Sequence, residues 1–280
     1  MNTPDPVQER CRVFHELHAS GCFVIPNPWD VGSARTLEHL GFPALATTSA
    51  GFAWSVGRAD NHLALDQALG YFRAIAEAVT VPVSADFEGG FAVEPADVAS
   101  HVTLAAGTGI AGLSIEDSTH DPDNPLFDFA LSVERVAAAR RAIDASGVRL
   151  VFVARSEGFI VGRPDIAETI RRLTAYAEAG ADCLYAPGIK TTEHIAAVVQ
   201  AVAPKAVNVG VGTDFTTVEA LKALGVRRIS VGGALARAAW TGFLAAAGEI
   251  AERGTFTKLG EAVSFAEING RFAGRRREQT

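Results

Sequence analysis

Short apolar runs rich in β-branched residues alternate with longer amphipathic segments along this chain, and eight such runs occur. Each run has the length of a strand, and the segments between them repeat apolar residues with the 3.6-residue period of a helix. Parallel strands joined by right-handed helical crossovers close into a barrel when eight such units follow one another. We therefore predict an α/β fold of the (β/α)8 TIM-type barrel class, with strands at 22–25, 44–47, 81–85, 112–115, 150–154, 182–185, 206–209 and 228–231.

The length of 280 residues fits one such barrel, which typically occupies about 250 residues. We expect a single domain over residues 1–280, in which residues 234–280 form a helical extension that a closed barrel does not require. Gly41, Gly180 and Gly225 each precede a predicted strand, where they suit left-handed helix C-caps. An open, doubly wound sheet is the alternative architecture.

The charge and hydropathy patterns narrow the range of partners. The formal net charge is −7, and the only dense basic run, residues 275–277, lies at the C-terminus, so a nucleic-acid partner is not expected. No uncharged apolar run of about 18 residues occurs, and residues 1–9 do not resemble a signal peptide. We therefore expect a cytoplasmic protein that makes no membrane contact.

Carboxylates follow two neighbouring predicted strands. Asp86 and Glu88 come after the third strand, and Glu116 comes after the fourth. The working groups of (β/α)8 enzymes lie at the C-terminal ends of the strands, so these acids are expected on one rim. Clustered carboxylates cannot all stay ionised without a cation, and hard oxygen ligands suit Mg²⁺ or Mn²⁺. Helix capping or pairing with arginines is the alternative role for these acids.

Two further strand ends carry groups that suit an anionic substrate. Arg155 follows the fifth strand, where its fork of donors can clamp a carboxylate, although an ion pair with Glu116 or Glu157 is the alternative. The second strand is followed by small residues, 47–51, whose backbone N–H groups can approach an anionic oxygen closely. A plain tight turn explains that segment nearly as well.

Five segments occur in a characteristic order at these strand ends. Together they resemble the phosphoenolpyruvate mutase/isocitrate lyase superfamily over roughly residues 12–240. The segments are Asn-Pro-Trp-Asp-Val-Gly-Ser-Ala-Arg at 27–35, Thr-Ser-Ala-Gly at 48–51 with Asp60, Ala-Asp-Phe-Glu-Gly-Gly at 85–90, Ile-Glu-Asp-Ser at 115–118, and Ala-Arg at 154–155.

The resemblance implies a Mg²⁺ ion held by Asp86, with Glu88 and Glu116 in or near its shell, often through water. The substrate's 2-oxo group and neighbouring carboxylate would chelate that ion. The remaining roles are carried over by position: Ser49, Ala50 and Gly51 receive the carboxylate, Arg155 is the active-site arginine, and Asp60 is the aspartate of the loop after strand 2. Members are homodimers or homotetramers that swap a C-terminal helix, which would account for the surplus helices here.

The chain departs from the family pattern in the loop after strand 4. Isocitrate and methylisocitrate lyases carry a catalytic cysteine there, whereas residues 119–125 read Thr-His-Asp-Pro-Asp-Asn-Pro. Asn124 matches an asparagine of phosphonopyruvate enzymes, but their nearby lysine is missing, and Asp121 and Asp123 would repel a phosphonate dianion. Pro187 stands where lyases and mutases usually present a glutamate or histidine.

The chemistry that remains is cleavage of a C–C bond in a small 2-oxo or 2-hydroxy acid, with oxaloacetate as the model substrate. The metal would stabilise an enolate as the bond breaks. We assign His120 as the candidate proton donor, Asn124 to a lid over residues 118–125, and Asn208 to substrate binding.

Four alternatives stay open at this point. They are a phosphonopyruvate-type P–C mutase or hydrolase, a catalytically weak 2-oxo acid binding protein, a phosphate-binding barrel that uses the glycines of 210–213 and 232–234, and a Schiff-base aldolase that uses Lys190.

Overall fold

The computed structural model describes residues 5–273 and contains eight parallel strands that surround one core. The strands are β1 (Phe23–Ile25), β2 (Leu45–Ala46), β3 (Val83–Asp86), β4 (Gly112–Glu116), β5 (Val151–Arg155), β6 (Cys183–Tyr185), β7 (Ala206–Gly210) and β8 (Arg228–Ser230). All eight predicted strands are present, with small shifts at their ends. They shift because an apolar run marks where a strand is buried, whereas hydrogen bonding decides where it ends.

The strands are hydrogen-bonded in the order β1-β8-β7-β6-β5-β4-β3-β2, so the first and last strands pair with each other. Between β1 and β2, the backbone N–H of Ala46 donates to the carbonyl oxygen of Pro26 at 3.1 Å. The sheet is therefore a nearly closed barrel. The (β/α)8 prediction is confirmed, and the open doubly wound alternative is wrong.

Helices connect the strands and cover the outside of the barrel. They are α1 (Pro6–Ala19), α2 (Val31–His39), α3 (Ser49–Ser55), α4 (Leu65–Ala78), α5 (Pro95–Ala106), α6 (Phe129–Ala145), α7 (Ile166–Glu178), α8 (Thr192–Ala201), α9 (Val218–Ala223), α10 (Ala234–Arg253) and α11 (Phe265–Phe272), with a 3-10 turn at Thr257–Glu261. The three predicted C-cap glycines have left-handed backbones, with φ of 88° at Gly41, 108° at Gly180 and 85° at Gly225.

Helix α1 closes the N-terminal end of the barrel. Phe14 is fully buried, and a Cβ atom added at Gly112, where β4 begins, would lie 2.7 Å from its Cε1 atom. Glycine at this position therefore allows the aromatic ring to pack directly against the strand. Because one end is sealed in this way, a ligand can enter only from the opposite, C-terminal end.

The extension after β8 is helical and contains α10 and α11. It exposes large apolar side chains, including Trp240, Phe243 and Leu244 on α10 and Phe265 on α11, the last of which is 83% exposed. Among residues 5–273, no helix is long and apolar enough to cross a membrane. The basic run 275–277 lies outside the described residues.

Candidate active site

A cavity of about 180 Å³ runs from the C-terminal rim into the barrel. Its wall is mostly polar and combines groups from the strand ends with groups that point inward from the strands themselves. The residues that line it are Asn27, Ala46, Thr47, Thr48, Ser49, Ala50, Asp60, Ser84, Ala85, Asp86, Ser114, Val153, Arg155, Tyr185, Asn208, Arg228, Ser230, Gly232 and Gly233.

Asp86 is the last residue of β3 and is held from both sides. Its Oδ2 atom accepts hydrogen bonds from the backbone N–H of Ser49 at 3.1 Å and from the Ser49 hydroxyl at 2.9 Å. Its own backbone N–H donates to the hydroxyl of Thr47 at 2.8 Å. The start of α3 therefore holds the carboxylate at the rim, and the residue after β2 holds the backbone of Asp86.

Arg155 ends β5 and contacts three carboxylates. Nη1 lies 2.8 Å from Oδ1 of Asp86, Nη2 lies 3.0 Å from Oε2 of Glu116, and Nε lies 2.8 Å from Oε1 of Glu157. The predicted alternative, an ion pair with Glu116 or Glu157, is thus present in this conformation. Burial raises the pKa of both glutamates, and Arg155 opposes that rise.

Glu88 is the carboxylate in this group without a partner. Its Oε1 atom is buried and accepts no hydrogen bond, and its backbone has a left-handed φ of 46°. Burial and the neighbouring Asp86 and Asp60 raise its pKa to about 8. An unpartnered carboxylate beside two others is the environment that a divalent cation would relieve.

The predicted metal ligands Asp86, Glu88 and Glu116 therefore share one rim. Within residues 5–273, no group of three or more His, Cys, Asp or Glu side chains is already arranged to hold a metal ion. Mg²⁺ usually keeps several waters and takes only one or two protein carboxylates. The carboxylate oxygens at this rim are donors of the type that Mg²⁺ accepts.

A buried network behind the rim was not predicted from the sequence. Asp117 accepts a hydrogen bond from the backbone N–H of Glu157 at 2.8 Å, from Arg172 at 3.0 Å and from the Tyr176 hydroxyl at 2.7 Å. These contacts hold Glu157 in position against Arg155. The sequence signal for this network is the acidic pair Glu116-Asp117 after strand 4. Only Glu116 of this pair is given a role from the sequence alone.

The small residues after β2 form the start of a helix and not a tight turn. Ser49 begins the short helix α3, and the hydroxyl of Thr48 caps it by accepting the N–H of Gly51 at 3.2 Å. Ser49 and Ala50 line the cavity, but the N–H of Gly51 is already used within the helix. The alternative of a plain tight turn is wrong, because Thr48 caps a short helix at this position.

The other assigned residues lie at different distances from the cavity. Asp60 lies at its mouth, where partial desolvation and the nearby Asp86 raise its pKa. Nε2 of His120 is 3.4 Å from Oε1 of Glu116, and partial burial lowers the pKa of the imidazole.

Asn124 is exposed and does not line the cavity. Asn208 lines it and donates to the Ser230 hydroxyl at 3.0 Å.

Two rival interpretations lose their main support in this geometry. A Cβ atom at Gly210 would lie 2.2 Å from the Tyr185 hydroxyl, and one at Gly233 would lie 3.2 Å from the Trp54 ring. Both glycines therefore make room for aromatic side chains, which explains them without a phosphate. Lys190 is exposed beyond β6 and does not line the cavity. A lysine that forms a Schiff base with the substrate would have to lie inside the cavity.

A protein-family model described as phosphoenolpyruvate phosphomutase matches residues 14–251. Among solved structures, a Burkholderia cenocepacia J2315 protein provisionally assigned as a lyase or mutase is 47% identical, with a TM-score of 0.93 over 96% of this chain and 98% of its own. A phosphonopyruvate hydrolase solved with oxalate and Mg²⁺ is 26% identical, with a TM-score of 0.81 over 93% of this chain and 95% of its own.

Among curated proteins, oxaloacetate decarboxylase 2 of Pseudomonas fluorescens (strain Pf0-1) is 28% identical over 231 residues. The match covers 80% of this chain and 78% of that protein. The similar proteins therefore include an enzyme named for C–C cleavage and another named for P–C cleavage.

Proposed function

The chain belongs to the phosphoenolpyruvate mutase/isocitrate lyase superfamily, and from this premise we propose that it is a Mg²⁺-dependent lyase that cleaves a C–C bond in a 2-oxo acid resembling oxaloacetate. The observation that carries the proposal is the rim on which Asp86, Glu116 and the unpartnered Glu88 meet one arginine, Arg155. Mn²⁺ is expected to substitute for Mg²⁺, since both prefer oxygen ligands.

The choice of C–C over P–C cleavage rests on the charge of the loop after β4. Asp121 and Asp123 are exposed there, and residues 118–125 contain no lysine or arginine. In this loop a phosphonate dianion would meet two carboxylates and no lysine or arginine, whereas a carboxylate substrate carries less negative charge at its far end. This loop therefore favours a carboxylic acid.

A bound divalent cation supplies Lewis-acid stabilisation of the negative charge that develops on the 2-oxo oxygen during cleavage. Asp86 would hold it directly, with Glu88 and Glu116 acting through water. Ser49, which already donates to Asp86, orients that carboxylate. Arg155 uses three of its five N–H donors on carboxylates, which leaves donors for the carboxylate next to the 2-oxo group.

Proton transfer falls to the side chains at the mouth of the cavity. His120 contacts Glu116 and is partly exposed, so it can exchange a proton with water and with a substrate bound at the rim. Asp60 also lines the cavity, where it can orient a water or the departing group. Asn124 is proposed to reach the substrate only after residues 118–125 close over the cavity.

We also propose that the protein is a homodimer or homotetramer that exchanges its C-terminal helices. The support is the apolar surface of α10 and α11, which is too extensive to remain in water on an isolated subunit. A second subunit that covered α10 would also lie close to Gly233 and α3, where the cavity opens.

The test is turnover of oxaloacetate, phosphonopyruvate and a set of 2-hydroxy diacids, with Mg²⁺ and after removal of metal with EDTA. We expect Mg²⁺-dependent formation of a carboxylic acid product from oxaloacetate or a homologue, and none with Asp86→Asn. The exposed variant Asp121→Asn is the control and should keep Mg²⁺ dependence.

Faster conversion of phosphonopyruvate would support the P–C alternative. Metal-dependent binding of 2-oxo acids without turnover would support a catalytically weak binding protein.

A further inference from the structure

The interior of this barrel is more polar than the rim chemistry requires. Side chains inside (β/α)8 barrels are usually bulky and apolar, and they fill the space completely. Here the cavity continues below the rim between Ser84, Ser114, Asn208, Arg228 and Ser230, all of which are buried. Polar groups that line a buried space need partners, so this lower part of the cavity is built to hold something polar.

Arg228 is the most unusual of these residues. It begins β8, is only 5% exposed, and points into the cavity. Its one hydrogen bond goes from Nη2 to the Ser84 hydroxyl at 3.4 Å, and both Nε and Nη1 are buried without a partner. Its guanidinium lies 5.8 Å from the centre of the Phe14 ring.

No carboxylate pairs with Arg228 among residues 5–273. The ion pairs of the described chain include Arg155 and Arg172 but not this residue. Burial lowers the pKa of Arg228, as expected for a cation without a counter-charge. A buried arginine normally has an anionic partner, because an unpaired charge in this position is strongly unfavourable. The partner of Arg228 is therefore expected to come from outside residues 5–273, and a bound anion can supply it.

Asn208 provides a second unpartnered group beside it. The two residues are paired across β7 and β8, and Oδ1 of the buried Asn208 accepts no hydrogen bond. Rotating the amide by half a turn would place its NH2 group toward the cavity and let the Ser230 hydroxyl donate to its oxygen. Arg228 and Asn208 would then present donors to the same space, which suits a carboxylate.

We propose that Arg228, assisted by Asn208, binds the second carboxylate of a dicarboxylic substrate, which then spans the cavity from the rim to the interior. The inference rests on the proposed function, since the first carboxylate and the 2-oxo group are placed at the rim. The cavity of about 180 Å³ is smaller than the ~300–1,000 Å³ of typical drug-sized sites, so the acid must be short.

The experiment is calorimetric titration in saturating Mg²⁺ with pairs of acids of equal chain length. Malate is compared with 2-hydroxybutyrate, and 2-oxoglutarate with 2-oxovalerate, because the members of each pair differ only in the second carboxylate. Oxalate, which can chelate at the rim without extending into the interior, reports on the rim alone. The proteins are the wild type, Arg228→Met, and Arg227→Met, a control that removes a neighbouring arginine that does not line the cavity.

We expect the wild type to prefer the dicarboxylate of at least one pair by about tenfold or more, as a charge-assisted hydrogen bond predicts. Arg228→Met should lose that preference and change oxalate affinity less than about threefold, while Arg227→Met should keep the preference. A preference that is absent in the wild type, or unchanged in Arg228→Met, would overturn the inference. Failure of the wild type to bind oxalate with Mg²⁺ would instead overturn the proposed function.

A second variant covers the case in which Arg228→Met does not fold. Asn208→Asp places a carboxylate of the protein beside Arg228, which should raise the melting temperature and abolish the preference for dicarboxylates through competition for the arginine. A purely structural arginine would also gain stability, but the ligand preference would not change. Retention of the preference in Asn208→Asp would therefore count against the inference.

Discussion

At the scale of single residues, Arg155 joins three chain segments that are far apart in sequence. It contacts the carboxylates of Asp86, Glu116 and Glu157, which end or follow β3, β4 and β5. One planar cation thus sets the spacing of the acids at the rim. Lysine cannot replace it, because a point charge on a flexible chain does not reproduce three divergent contacts.

Replacing Arg155 with lysine or methionine should reduce kcat/KM by about 10²–10³-fold, the usual effect of losing an oriented donor. Removing one partner from a buried ion pair also destabilises a protein by about 3–5 kcal/mol, so the free energy of unfolding should fall. Steady-state kinetics and urea unfolding measure the two effects. Arg12→Met is the control, since that exposed arginine pairs with glutamates on α1 only. Equal losses in both variants would contradict the role given to Arg155.

His18 links stability to pH. Its ring is buried against Phe14 and Phe23, and burial lowers its pKa to about 3. In the unfolded chain a histidine has a pKa of about 6.5, so between these values the unfolded state binds a proton that the folded state does not. Stability is therefore fully present above about pH 6.5 and decreases as pH falls toward 3.

His18→Gln should reduce the pH dependence of the unfolding free energy by about 1.4 kcal/mol per pH unit between these limits, which corresponds to one proton. Urea unfolding at a series of pH values gives the slope. His39→Gln, which removes an exposed imidazole at the end of α2, should keep the slope of the wild type. An unchanged slope in His18→Gln would show that the ring is protonated in the folded state.

At the scale of elements, the loop after β4 is held at its two ends by its own hydrogen bonds, and His120 adds one contact to Glu116 at the end of β4. Residues Ser118 and Leu126 form an isolated bridge, and the N–H of Thr119 donates to the carbonyl of Pro125 at 3.1 Å. The loop between these anchors is exposed. It can therefore move as a unit about two fixed ends, which is what a lid requires.

Asn124→Ala should lower kcat by about tenfold and change KM by less than about threefold, because its contacts are expected only in the closed state. In the wild type, amide hydrogen exchange over 118–125 should slow when Mg²⁺ and oxalate are added together. Helix α5, at Pro95–Ala106, is the internal reference. Exchange that is the same with and without ligand would mean that the loop is no lid.

Strand positions could be read from the sequence more reliably than the helix at Ser49–Ser55. The barrel strands are buried on both faces and leave continuous apolar runs, whereas α3 has seven residues, mostly small, and resembles a turn. The placement of Asp86, Glu116 and Arg155 on one rim could be predicted because each ends a strand. The role proposed for Arg228 could not be predicted, because this residue begins a strand instead of ending one. That its charge is unpaired is visible only from the residues that surround it in the barrel.

At the scale of the whole molecule, the proposed exchange of C-terminal helices would bury the apolar surface of α10 and α11. Phe243→Glu should reduce the mass of the assembly in solution, as measured by light scattering after gel filtration, since a charge on this surface opposes its burial. Val93→Glu is the matched control, because Val93 is also exposed and apolar but lies far from these helices in sequence. A Phe243→Glu protein with the mass of the wild type would contradict helix exchange.

The seam between β1 and β2 has few backbone hydrogen bonds, and one side chain helps to close it. Nδ2 of Asn27 donates to the carbonyl of Thr47 at 2.9 Å, and its Oδ1 accepts the N–H groups of Val231 and Gly232, each at 2.9 Å. One amide thus joins residues more than 200 positions apart. During synthesis, an emerging chain can form every strand-to-strand ladder up to β7 without this closure. The rim can take its final shape only after Gly232 has left the ribosome, so the nascent chain has no complete site until most of it has been made.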